Sequence, residues 1–106
     1  MDDVRIHIGT LVADLQLPHA QQLKERRQAL RSLIQRLHNR RLAVAQVGPP
    51  DLHQRAFLLV GAVAGSQGVL DELLAAAERV IVESEFAIAD LRRDVHQDSF
   101  SSLQGM

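Results

Sequence analysis

The 106-residue chain has no cysteine, tryptophan or tyrosine and only three phenylalanines, Phe57, Phe86 and Phe100. Without cysteine there is neither a disulfide framework nor a thiolate metal site. So few aromatics argue against a sheet that reads single-stranded RNA, because such readers stack two or three bases on rings. The longest apolar run, Ala56 to Gly65, is about half the length of a membrane span. The N-terminus, MDDVRIHIG, is acidic and then alternating, which is wrong for an export signal, so a cytoplasmic location is expected. Gly61, Gly65 and Gly68 follow an apolar run but lack the Walker lysine and the dinucleotide spacing. The five histidines, at positions 7, 19, 38, 53 and 96, contain no H-x-x-x-H pair. Neighbouring strands could still supply a spatial cluster such as His7 with His96. No base, nucleophile and oxyanion donor can be named together, so no catalytic residue, metal, cofactor or small-molecule substrate is assigned.

What the chain does contain is charge, unevenly placed. Net charge is −1. Yet Lys24 to Arg41 holds seven Lys/Arg and one acid, Glu25, whereas Asp71 to Asp98 holds eight acids and three arginines. The stretch from Gln22 to Arg41 repeats apolar residues at helical spacing: Leu23, Leu30, Ile34 and Leu37 share a face, with Leu33 beside them. Lys24, Arg27, Arg31 and His38 line one flank of that stripe, and Arg26, Arg36 and Arg40 the other. Gln22 stands where Ser, Thr, Asp or Asn would cap, so the first turn is expected to fray.

The remaining pattern is strand-like around two helices. Val4 to Leu17 alternates, but its apolar parity changes at Gly9, which predicts a bulge or bend there. Leu42 to Val47 is a short strand closed by Gly48-Pro49-Pro50. Arg55 to Ala64 is apolar on both faces and therefore central in its sheet. Ser66 is the expected N-cap of a helix over Gly68 to Ser84, and Phe86 to His96 alternates again. Residues 97–106 are expected to be a flexible tail after one domain spanning 1–96. The order β-α-β-β-α-β is α+β and ferredoxin-like, with two helices on one face of a four-stranded antiparallel sheet and strands one and three central. Phe57, Leu59, Val63 and Val12 would leave an apolar patch on the open face, so a homodimer, sheet against sheet, is expected.

Several short runs occur in order along the chain: L-x-L-P (15–18), Q-L-K-E-R-R (22–27), R-S-L-I (31–34), V-A-Q-V-G (44–48) and D-L-H-Q-R-A (51–56). Together they resemble the YlxP-like family of small bacterial proteins, whose usual forms are S-L-K-[DE]-K-R, R-S-L-[IL], V-A-E-V-G and D-L-W-Q-R-A. The resemblance covers roughly residues 6 to 95. It implies a ferredoxin-like fold and, from the family's gene neighbourhood among translation and ribosome-maturation genes, an association with RNA or the ribosome. Three positions depart from the family pattern: Gln22 for Ser, Gln46 for Glu, and His53 for Trp.

Two stretches are candidates for function. Lys24, Arg27 and Arg31 recur at i, i+3 and i+7, in one row suited to an RNA backbone; the bland alternative is a helix whose cationic stems cover the core edge. Gln54 and Arg55, with Asp51 and His53, form a polar loop that either binds an anion or locks its own turn, Asp51 pairing with Arg55. The function expected is non-catalytic binding of structured RNA or the ribosome through the first helix. The competing class is a protein-interaction module that uses the apolar sheet face or an edge strand. An enzyme would rest on the polar loop alone.

Overall fold

The computed structural model describes residues 3–18, 22–50, 52 and 54–101. The element order is β1 (Asp3–Gln16), α1 (Leu23–His38), β2 (Ala43–Val47), β3 (Arg55–Ala64), α2 (Gln67–Val82) and β4 (Ala87–Ser101). The strands form one antiparallel sheet ordered β2-β3-β1-β4. This is the ferredoxin-like βαββαβ fold, with β1 and β3 central. Its core lies between the sheet and the helices. Leu11, Leu15, Leu58 and Val60 from the sheet join Leu33 and Leu37 of α1 and Leu70, Leu74 and Ile81 of α2, none more than 1% exposed. Each such side chain stabilises the fold by about 1.5–3 kcal/mol relative to its exposed state. Ser66 caps α2, its hydroxyl accepting from the Val69 amide at 3.2 Å.

β1 corrects the expected bulge at Gly9. Its register with β3 is unbroken from His7 opposite Ala64 to Gln16 opposite Arg55. The inward parity runs His7, Gly9, Leu11, Ala13, Leu15, so there is no shift. A histidine and a glycine occupy two core-facing positions, which hides the periodicity from a count of apolar residues. Gly9 is there because α2 comes so close: a Cβ on it would lie 2.6 Å from Leu74 Cδ1 and 3.1 Å from Leu70 Cδ1. The irregularity lies instead between Asp14 and Leu15, which face Asp90 and Ile88 and leave Ala89 as the extra residue of β4.

Val4, Ile6 and Ile8 therefore belong to the open face, beside Val12, Phe57, Leu59 and Val63. Val63 is 74% exposed. On the β4 side the same face carries Asp90, Arg92, Asp94, His96 and Asp98.

Two element ends also differ from expectation. Residues 97–101 are strand rather than tail, paired through Gln97 with His7 to Ser101 with Asp3; residues 102–106 lie outside the described residues. The helix expected to run to Arg41 stops at His38. Arg41 takes a left-handed conformation (φ 62°), and Leu42 turns into the core at 3% exposure.

β3 stops opposite His7, so in the described residues Asp3–Ile6 of β1 and Asp98–Ser101 of β4 pair only with each other. This two-stranded arm lengthens the molecule, which measures 57 × 23 × 22 Å.

Candidate nucleic-acid interface

α1 begins without a cap: Gln22 is extended (φ −138°, ψ 153°) and its side chain accepts no amide. The helix start is fastened another way. Arg26, only 2% exposed, donates from Nε to the Arg55 carbonyl oxygen at 2.8 Å and from Nη1 to the Pro50 carbonyl oxygen at 3.4 Å. This corrects its expected place on a solvated flank. Arg26 stands four residues before Leu30 and seven before Leu33, so helical spacing puts it on the buried stripe with them.

Lys24, Arg27 and Arg31 are exposed on α1, and their row spans about 10 Å along the axis. Among the described residues the ion pairs are Arg36 with Glu83 at 3.9 Å, Arg55 with Asp14 at 2.7 Å, Arg92 with Asp90 at 2.8 Å and Arg93 with Glu78 at 2.7 Å. None involves Lys24, Arg27 or Arg31. Among the described residues Glu78, Glu83 and Asp90 of the acidic second half pair with other arginines, and no acid pairs with this row. Arg27 and Arg31 line an open groove of about 430 Å³ between α1 and β2, with Ile34, His38 and Gln46 on its walls. Gln46 is one of the positions that departs from the resembled family. A glutamate there would put a negative charge into this groove, and glutamine puts none.

The other candidate residues are not brought to this face. Arg55 projects from the open sheet face, opposite the helix layer, since it pairs with Gln16 across β1. Two hydrogen bonds hold it to Asp14, at 3.0 and 2.7 Å, and its guanidinium lies 4.9 Å from the Phe57 ring centroid. The bound guanidinium holds the Asp14 carboxyl below its ordinary value, and the carboxylate in turn raises Arg55. Gln54 is exposed just before β3 and accepts the Leu17 amide on its backbone oxygen at 2.8 Å. Asp51 and His53, the remaining polar loop residues, lie outside the described residues, as does His19.

The sheet itself is a poor base-reading surface. Its two open-face rings, Phe57 and Phe100, stand opposite Asp14 and Val4 of β1, about 34 Å apart along the strand. Phe57 is already covered by Arg55. His7 and His96 do not meet: His7 faces the helix layer and His96, opposite Ile8, faces away. His7 is 8% exposed, and its Nδ1 has no hydrogen-bond partner among the described residues. Among those residues no group of three His, Cys, Asp or Glu is placed to hold a metal ion, and no helix is long and apolar enough to cross a membrane.

Comparison with known proteins adds a family without an assigned role. No curated protein matches the chain. Solved structures that resemble it include the de novo designed protein Foldit4 (TM-score 0.46, 7% identity, covering 89% of this chain and 96% of that one). Another is the structural-genomics protein YJCS (TM-score 0.45, 9% identity, 82% and 96% covered). A third is a protein of unknown function from Rhodopseudomonas palustris (TM-score 0.32, 17% identity, 95% and 84% covered). The family model described as "Protein of unknown function (DUF503)" matches residues 8–93, nearly the whole described chain, and the protein belongs to that family.

Proposed function

We propose that this protein is a non-catalytic cytoplasmic adaptor that docks on structured RNA, free or within the ribosome, through the outer face of α1. The observation that supports this most is the row Lys24, Arg27 and Arg31, exposed and without an acidic partner among the described residues. Docking is electrostatic and independent of base sequence, because side chains on one helix face reach phosphates more readily than base edges. Gln46 adds a neutral hydrogen-bonding side chain to the same groove. Arg55 and Gln54 take a supporting part at most, since Arg55 is committed to Asp14 and points to the other face.

The test is co-sedimentation with ribosomes and binding to structured RNA, comparing the natural chain with Lys24→Glu/Arg27→Glu/Arg31→Glu. Three phosphate contacts predict an affinity that falls about 20–40-fold between 50 and 200 mM salt. The triple variant should lose both the binding and its salt dependence while keeping its thermal transition, and Gln46→Glu should weaken binding less. Binding by the triple variant equal to that of the natural chain at low salt would refute the reading. A second reading, a protein-interaction module, draws on the apolar open face, where Ile8, Val12 and Val63 are all exposed. That mode would persist at high salt.

A further inference from the structure

We infer that Asp3–Ile6 of β1 pairs edge to edge with the same segment of a second copy, antiparallel and with Val4 on the two-fold axis. β3 ends opposite His7, so beyond that point the lane beside β1 is vacant among the described residues. Which groups face the lane follows from the hydrogen-bond alternation of an antiparallel pair. Leu17 donates to the Gln54 carbonyl on the β3 side, so odd-numbered residues of β1 point their amides and carbonyls that way and even-numbered ones point to β4. Asp3 and Arg5 thus present their backbone groups to the empty lane. Val4 and Ile6 are satisfied by β4.

A strand edge is its own complement under a two-fold rotation, and three conditions choose the register. Directly opposed residues must share a sheet face, and odd positions must meet odd positions for the hydrogen bonds to form. Charge decides among the registers that remain. Shifting one way opposes Asp3 to Asp3 of the partner subunit, and shifting the other way opposes Arg5 to Arg5 of the partner subunit. With Val4 opposite Val4 of the partner subunit, Asp3 meets the partner's Arg5 and Arg5 meets the partner's Asp3. Four backbone hydrogen bonds then form, with an opposite-charge pair on each side of the axis.

Side chains on the open face add an apolar contribution. Val4 and Ile6 of both copies become neighbours there, and Phe100, 51% exposed in the single chain, flanks Val4 across β4. The arm, two-stranded by itself and therefore marginal, becomes part of a four-stranded sheet. A homodimer was also the expectation from the apolar patch, but by stacking of open faces. Asp90, Arg92, Asp94 and Asp98 of β4 put a charged row along that face, whereas the arm edge is complementary to itself throughout.

The chain has no cysteine, so Val4→Cys introduces a single thiol. In the inferred register the two Val4 Cα atoms stand about 4.5 Å apart, within the span of a disulfide. The two Ile6 Cα atoms are about 13 Å apart. Mild oxidation should link Val4→Cys into a covalent dimer and leave Ile6→Cys unlinked. By light scattering at micromolar concentration the natural chain should be dimeric. Asp3→Arg and Arg5→Asp should each be monomeric alone, and their equimolar mixture should regain the dimer, which also shows that both variants fold. A monomeric natural chain, a dimer indifferent to both single substitutions, or equal linking at positions 4 and 6 would each overturn the inference. These measurements contain no nucleic acid, so they stand or fall apart from the RNA reading.

Discussion

Arg26 carries the same charge as Lys24 and Arg27 but holds it inside the protein, where two backbone carbonyls accept from it. Removing its head leaves those part-buried acceptors without their donor, so Arg26→Met should destabilise the fold by about 1–3 kcal/mol in chemical denaturation. Reversing Lys24, Arg27 or Arg31 singly should change stability by no more than about 0.5 kcal/mol, as for other exposed positions. Equal losses at Arg26 and Arg27 would contradict this division. The Asp14–Arg55 pair makes a second residue-scale prediction, in pH. Asp14 titrates below its ordinary value of 3.8 in the folded chain, because Arg55 favours the carboxylate. Its stabilising contribution is therefore complete above that value and is lost as pH falls through the lowered one. The difference in Tm between the natural chain and Asp14→Asn should be constant near neutrality and should shrink only below about pH 4. A difference that disappears between pH 6 and 8 would point to some other group.

At the scale of elements, the strands and helices that alternate or repeat cleanly were legible from the residues, and those with a polar or small residue on the buried face were not. β3 and α2 read directly, since Ala56, Leu58 and Val60, or Leu70, Leu74 and Ala77, keep one period throughout. β1 misled because His7 and Gly9 stand in the core-facing series and Val4, Ile6 and Ile8 face outward. The Gly9 position is fixed by a neighbour distant in sequence, the Leu74 side chain, which no local pattern reports. Gly9→Ala should cost about 1–3 kcal/mol in urea denaturation, because α2 must move away or Leu74 must leave its rotamer; a neutral substitution would show that the contact relaxes freely. The candidate site was legible in its cations, whose i, i+3 and i+7 spacing places them in one row. It was not legible in Arg26, read as a surface charge, nor in the partner of Arg55, because Asp14 lies 41 residues away in β1. β4 ran past its expected end since Gln97, Asp98, Ser99 and Ser101 are polar, yet backbone pairing with β1 holds them regardless of side chain.

Across the whole molecule, charge and shape divide the labour. The cationic row lies on the helix layer, and among the described residues Glu83, Asp90 and Glu78 pair with Arg36, Arg92 and Arg93. A near-zero net charge therefore conceals a polarised surface, and ionic strength is the variable that exposes it. The arm extends from the sheet at the N-terminal end of β1, past the residue where β3 stops, and α1 follows the opposite end of that strand. The outer edge of β4, the longest strand at 15 residues, is studded with Asp90, Arg92, Arg93, Asp94 and Asp98, a composition that discourages a further strand from adding there.

Among the described residues the vacant lane is four residues deep and stops at the C-terminal end of β3. In the arrangement inferred above, a visitor that fills it has its own lane filled by its host in the same step, so the contact is exhausted at two molecules. Association by this route closes on itself and cannot propagate into a fibre, which is a safeguard for a chain whose described arm turns backbone groups toward an empty lane.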